Sequence, residues 1–536
     1  MVKRVREDDD VSHDFRSKRS KPLYTDHLSR LPDEVKLRVF SFLTVSDLLR
    51  CEEISREYRS LARDGSLWKA HYYRDSTRPR RKQTAGMRDI GFDQILKGTT
   101  WKWRYKLRHN WNKGSCTMKE VHVAAESSIP PMLVQLHEGT IYMVDRTQGL
   151  RAWSVKSHSL VAHLPISREA TPTSLAVCIT AQQSSTSIVV VGHENGTFAV
   201  YSLQKDSSTF THCYSHNDGS NDAVVTAIAL SWPYVVTLTA TQKLSLWKFG
   251  SRRGDSTHSK TASHTYAPPA ALHTLTSRSI WPPLSTSIRE SKSSITVSLG
   301  FALPTYLSGW TVGIQEIVVD LEGKLLDSRI ASAIEEHFRP LTFASRPMFP
   351  HIASFQPSFP GITSARELRH IHSKPISLSY THPYLLVSHP DNTLAVYLVT
   401  STAESLSVSP GSRLWGHTSS VSGAHIGGRG RAVSISRRGD ELRVWELEGG
   451  LTSMVAKKRL TDRGLGIKVR PGQKAHIDHT STPKISASGD DTDRSSQQPL
   501  SELSVTRGWI GFDDENVVFL REDGQGKQVL VICNFS

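Results

Sequence analysis

Residues 440–447 read DELRVWEL, a turn-rich pair followed by alternating apolar and polar positions with an aromatic at Trp445. Four other stretches repeat the pattern: QGLRAWSV (148–155), GTFAVYSL (196–203), QKLSLWKF (242–249) and NTLAVYLV (392–399). Their aromatics, Trp153, Tyr201, Trp247 and Tyr397, stand 48, 46 and 150 residues apart, and Trp445 follows after a further 48. A period of two is the signature of a β-strand, and the preceding Gly, Asn and Asp residues supply hairpin turns, as at Glu194-Asn195-Gly196 and Pro390-Asp391-Asn392. Ahead of most of these strands lie two further apolar runs, for example TSLAVCIT and SIVVVG, and a less regular fourth follows.

Four strands in units of roughly 45 residues is the arithmetic of a propeller blade. A β-sandwich would not keep five aromatics in phase. The gap of 150 residues fits one poorly marked unit with long insertions, its strands in SSITVSLGFAL and TVGIQEIVVDLEGKLLDSRIA. With the C-terminal GWIGFDDENVVFL…KQVLVICNF the count reaches about seven blades. That last segment offers three strands, and Met118 to Ala124 is expected to supply a fourth and close the ring without an exposed edge. The pattern resembles a degenerate WD-repeat family. Ser, Ser, Lys, Leu and Glu follow the aromatics instead of Asp, and Gly416-His417 is the one Gly-His opening. The resemblance implies a structural hydrogen-bond chain of His417, Ser434 or Ser436, and Trp445.

The N-terminus is of another kind. LPDEVKLRVFSFLTVSDLLRCEEISREYRSLARDGSLWKAHYYRD (31–75) reads as short helices, the first opening at Pro32, where a missing N–H costs nothing. At 100° per residue, Leu31, Val35, Val39, Phe42 and Leu43 form one stripe, with Leu37 and Phe40 near the opposite side. A second helix is expected from Ser46 or Asp47 and a third through Ile54, Tyr58 and Leu61. So short a segment buries too little surface to be stable alone. Its excess apolar arc is covered either by the rest of the chain or by a partner. The Leu-Pro opening, the helix ending in Phe-Leu, Asp47-Leu48-Leu49 and Leu67-Trp68 resemble the F-box motif. In Ile54-Ser55-Arg56-Glu57-Tyr58, Ser and Tyr stand where that family commonly has Cys and Trp. The resemblance implies docking to the adaptor of SCF ubiquitin ligases through Leu31, Pro32, Val35, Val39, Leu43 and Leu48.

The whole reads as a basic disordered tail (1–25), a small all-α F-box bundle (26–76), connector helices (77–116) and an all-β propeller (117–536). Disordered insertions are expected near 251–293, 334–373 and 471–506. In the connector, TTWKWRYKLRHNWNKGSC (99–116) alternates aromatic and basic residues. Asn110-Trp111 and Gly114 resemble the connector of F-box proteins with WD repeats, so it reads as a helix whose aromatics pack between modules.

The net charge of +15 is concentrated: residues 1–115 hold 27 Lys and Arg against 16 Asp and Glu. Lys3-Arg4 and Arg16 to Lys21 have the form of a two-part nuclear import signal, giving an expectation of nucleus, cytoplasm or both. Aromatics are not interleaved with these runs as a single-strand nucleic-acid binder needs. The five cysteines include no CxxC pair, which argues against a zinc cluster or a disulfide framework. No apolar run reaches the length of a membrane span, and the charged N-terminus is not a signal peptide. A soluble intracellular chain is expected.

No Walker loop, HExxH, G-x-S-x-G or kinase set is present. His212, His216, His370 and His372 lack metal-ligand spacing and read as surface residues. No catalytic site, metal or cofactor is therefore expected. The order F-box, connector, propeller implies the substrate receptor of an SCF-type ligase, linked through its adaptor to a cullin. The alternative is a nuclear scaffold on chromatin or RNA that uses the F-box for the adaptor alone. Arg437 and Arg438, beside a turn of the best-preserved blade, are the expected substrate contacts, since guanidinium forks suit phosphate.

Overall fold

A computed structural model describes residues 31–74, 99–166, 170–179, 186–205, 207–216, 223–250, 266–277, 282–304, 309–333, 373–427, 430–437, 439–447, 466–471, 509–522 and 526–536. The chain divides into two compact units, Met1–Lys106 and Leu107–Ser536.

The described part of the first unit is helical: α1 (Asp33–Phe40), α2 (Val45–Ile54), α3 (Arg56–Ala62) and α4 (Gly65–Arg74). A fifth helix, α5 (Trp101–Lys113), begins in this unit and ends in the second. The α2 start differs from expectation. Thr44, not Ser46 or Asp47, is the cap: its Oγ1 accepts the Asp47 N–H at 3.3 Å, satisfying an orphan first-turn donor. Ile54 ends α2 instead of opening α3, because Ser55 is extended and caps α3 by accepting the Tyr58 N–H at 3.1 Å. Phe40, Leu48, Leu61, Ala62, Leu67 and Trp68 form the core of the bundle.

The second unit is a propeller of seven sheets. Blade one comprises Leu133–His137, Thr140–Asp145, Gly149–Ser154 and Leu160–Leu164. Blades two to six span 172–216, 225–276, 285–332, 377–414 and 421–468, each built from successive antiparallel strands. All five repeated aromatics lie on the third strand of their blade. Second strands are enclosed on both faces by neighbouring blades. Thr186–His193 and Tyr234–Thr239 are accordingly buried at every residue, which is why their sequences are near-continuous apolar runs. Outer strands are less enclosed: in Thr209–His216 only Phe210 and Cys213 are buried. Apolar clusters fill the spaces between successive blades from seven through one to six, for example Val189, Val191, Tyr142 and Val144 between blades one and two.

The weakly marked fourth unit is a full blade: Ser285–Glu290, Ser294–Pro304, Trp310–Asp320 and Leu325–Ser332. Two of its neighbourhood's strands correct the expected insertion at 251–293. Ala270–Thr276 is the outer strand of blade three and Ser285–Glu290 the first strand of blade four. Residues 251–265 lie outside the described residues, as do the expected insertions at 334–373 and 471–506 apart from their end residues 373 and 471, and the basic runs at Lys3-Arg4 and Arg16 to Lys21.

Blade seven closes the ring. Ile510–Phe512, Asn516–Glu522 and Gln528–Asn534 are completed by Ser115–Ala124, paired antiparallel from Thr117↔Asn534 to Ala124↔Gln528. Arg470–Pro471 then adds parallel to the start of that strand, at Ser115↔Arg470 and Cys116↔Pro471. Gly114, just before it, adopts φ +67°, and a Cβ there would sit 2.5 Å from the Lys468 carbonyl oxygen. Only glycine allows that turn and that approach.

Candidate docking surfaces

The amphipathic logic of α1 is divided between two faces. Phe40 points inward, edge-on to Tyr58 at 5.6 Å. Lys36 is buried and ion-paired with Glu57, which, with a weaker contact to Asp33 at 3.5 Å, holds its pKa above the ordinary value. The opposite face is left uncovered: Val35 is 43 % exposed, Val39 41 % and Phe42 73 %. Leu31 and Pro32 continue that face, while Leu43 is half-buried. Leu49 and Ile54 on α2 are also exposed. Leu48 is a correction. It is completely buried in the bundle core and offers nothing to a partner, because the cap at Thr44 phases α2 so that Leu48 faces Leu61 and Trp68. Leu49, one residue and 100° further round, takes the outward position. Phe42, Leu49 and Ile54 were absent from the expected contacts, although Phe42 lies on the stripe that the wheel defines.

The aromatics of α5 sort between the units. Within the first, Tyr105 packs on Trp68 at 5.6 Å and Trp101 on Tyr72 at 5.8 Å. Its basic residues serve the same packing: Arg104 lies over Trp101 at 4.6 Å, and Lys102 pairs with the buried Glu52, which also takes Arg63 Nε at 3.3 Å. Within the propeller unit, Trp111 stacks on Phe535 with centroids 4.0 Å apart and planes 9° from parallel. The Arg431 guanidinium covers the other face of the indole at 4.4 Å. Trp111 Nε1 donates to the Asp514 carbonyl at 2.9 Å and Asn110 Nδ2 to that of Phe535 at 2.8 Å.

In blade six the expected chain forms through Ser434, not Ser436. Trp445 Nε1 donates to Ser434 Oγ at 2.7 Å, so the hydroxyl proton is assigned to His417 Nε2, 2.6 Å away. The ring proton then sits on Nδ1, 3.5 Å from Glu441 Oε2. Ser436 turns instead to Asp440, at 2.5 Å. In blade three Trp247 makes the same cross-strand bond, Nε1 to Thr237 Oγ1 at 3.0 Å. Burial raises the Glu441 carboxyl, but hydrogen bonds from Thr418 and Arg443 outweigh it and bring its pKa to about 2. Desolvation holds His417 neutral, its pKa depressed to about 4.

A pH dependence follows. Below pH ~6.5 the unfolded chain protonates His417 while the native chain does not, so stability falls as pH drops from there to about 4. Glu441 acts in a lower window, from its ordinary value of 4.5 down to about 2. Denaturant unfolding of His417→Gln should therefore show a shallower loss between pH 7 and 5 than the parent. Other histidines whose pKa desolvation lowers, the half-buried His425 among them, retain their share of the slope.

Of the expected substrate contacts, Arg437 is exposed at the end of the second strand of blade six, its backbone N–H bonded to the Ser420 carbonyl at 2.8 Å. Arg438 lies outside the described residues. His212 is exposed, but His216 is half-buried against Trp247, 4.5 Å away, and Phe198, which corrects its reading as a surface residue. His370 and His372 are outside the described residues. Among the described residues no cluster of His, Cys, Asp or Glu is arranged to hold a metal.

Comparison with known families agrees with this geometry. Residues 28–74 match an F-box-like model, and residues 116–536 match the F-box protein pof12 beta-propeller model. The chain belongs to the pof12-type F-box propeller family. Curated relatives of this F-box propeller chain share the N-terminal module. F-box/LRR-repeat protein 5 of Xenopus tropicalis is 36% identical over 66 residues, 12% of this chain and 9% of its own length. The Mus musculus protein of that name is 46% identical over 46 residues, 9% of this chain and 6% of its own. F-box protein dre-1 of Caenorhabditis elegans is 40% identical over 47 residues, 9% and 5% of the two chains. The F-box propeller chain thus spans less than a tenth of the length of these relatives. Solved structures similar to it include the computationally designed Ika8 protein, with a TM-score of 0.35, 16% identity and coverage of 75% of this chain and 83% of that one. BamB from Moraxella catarrhalis gives 0.36 and 11%, with coverage of 78% and 97%.

Proposed function

We propose that this F-box propeller protein is the substrate-recognition subunit of an SCF-type ubiquitin ligase. The observation that carries the reading is the uncovered apolar face of Leu31, Val35, Val39 and Phe42 on a bundle whose core is already filled by Phe40, Leu48 and Trp68. Contiguous exposed apolar surface marks a protein interface, and an F-box-like module supplies the class of partner, an SCF adaptor carrying a cullin. The propeller is then the arm that holds a second protein, and the chain contributes proximity and orientation while other subunits perform the transfer. Arg437 and Arg438 are the contacts proposed on that arm.

The test is purification of the tagged full-length protein from cells. Adaptor and cullin should both co-purify, and a protein captured through the propeller should be ubiquitinated when the remaining ligase components are supplied. Adaptor without cullin would favour a scaffold role, and absence of both would overturn the reading.

A further inference from the structure

At one end of blade five the register sets Ser377, Ser388, Leu394 and Leu414 in a single row across four strands. Just beyond the row stand Ile376 on the inner side and Trp415 on the outer side, roughly 14 Å apart at the usual strand spacing. Both are exposed, at 47 % and 55 %. Trp415 is the one exposed aromatic of the propeller among the described residues. The Arg413 guanidinium lies over its indole at 5.8 Å.

Blade six abuts this end. The Val421 N–H reaches the Asp391 carbonyl at 3.4 Å, and Asn392 Nδ2 donates to the His417 carbonyl at 3.0 Å. Through Ser420 the same contact region holds the backbone of Arg437.

The charges here are unevenly committed. Asp391 Oδ1 accepts the Thr393 N–H at 2.9 Å and the Thr393 hydroxyl at 2.6 Å, and Asp440 accepts Ser436. Glu441 is buried against Arg443. The Arg437 guanidinium, by contrast, has no partner among the described residues. Arg413 Nη1 stands 4.0 Å from Asp391 Oδ2, so what remains available to a visitor is an indole, an isoleucine and the Arg437 guanidinium; Trp and Arg are residue types in which interface hot spots concentrate.

We propose that this end of blades five and six is the protein-binding face of the receptor. Trp415 with its stacked Arg413 is the anchor and Arg437 the charge contact. The occupant is a peptide segment bearing aspartate or glutamate beside an apolar side chain. The proposal rests on the receptor reading, and the two fail separately.

The experiment is selection of a phage-displayed random peptide library on the full-length protein bound to its adaptor. The selected peptides should be enriched in Asp and Glu around an apolar residue. Their affinity should fall about thirtyfold on Trp415→Ala, the size of a hot-spot loss, and comparably on the exposed charge reversal Arg437→Glu, with adaptor capture unchanged by either. Peptides lacking an acidic consensus, or binding both variants as well as the parent, would overturn the proposal. A site that takes only phosphorylated segments yields no such consensus and overturns it too. Loss of adaptor capture by the unsubstituted chain would instead sink the receptor reading.

Discussion

Replacing Val35, Val39 and Phe42 together by alanine should abolish co-purification of the adaptor while leaving the unfolding midpoint of the chain unchanged. These side chains lie outside the bundle core, so the bundle loses little by their truncation. A partner that covers them loses contact of roughly 3–5 kcal/mol, at about 0.8 kcal/mol per buried methylene. At about 1.4 kcal/mol per decade, that is two orders of magnitude or more in affinity. Leu48→Ala is the contrasting variant. It opens a cavity in the core and should lower the stability of the bundle by ~2–5 kcal/mol. It should weaken capture only in proportion to unfolding. A triple variant that still binds its adaptor would mean that the apolar face serves something else.

The second large effect is expected at Trp111. Its indole is held between Phe535 and Arg431, and its N–H is bonded to the Asp514 carbonyl. Trp111→Ala removes both stacks and strands that carbonyl, costing the propeller unit roughly 3–5 kcal/mol. Trp111→Phe keeps a ring against Phe535 and loses mainly the hydrogen bond, worth about 1 kcal/mol. Calorimetric unfolding of the two variants separates stacking from hydrogen bonding. Equal midpoints for parent and alanine variant would show that the stack does not stabilise the ring.

Five blades were legible in the sequence because their third strands combine a period of two with an aromatic at a fixed place. Blade four was not. After Trp310 its third strand, 311–320, contains no aromatic. It was recognisable only as an apolar run in a gap of the right size. The strand Ala270–Thr276 was misread as insertion for a related reason. As an outer edge, none of its residues is fully buried, so the core imposes no alternation on AALHTLT. On the bundle the stripe of Val35 and Val39 could be read from helical phase alone. Leu48 and Leu49 could not be separated that way, since adjacent leucines exchange faces with a small change of phase, and the phase was set by a threonine cap.

The latch between Thr117 and Asn534 joins positions more than four hundred residues apart in the chain, the separation recorded for the Thr117 hydroxyl and the Asn534 carbonyl. During synthesis the bundle has all its core partners once residue 105 has emerged, because its contacts are local. The strand Ser115–Ala124 emerges next and then has no antiparallel neighbour until the last blade is made. For nearly the whole of translation it is an unpaired strand, the kind of edge through which nascent chains associate wrongly. Its composition suits that interval. Lys119, Glu120 and His122 are interspersed among Met118, Val121 and Val123, which interrupts any run of apolar residues that a neighbouring chain would join.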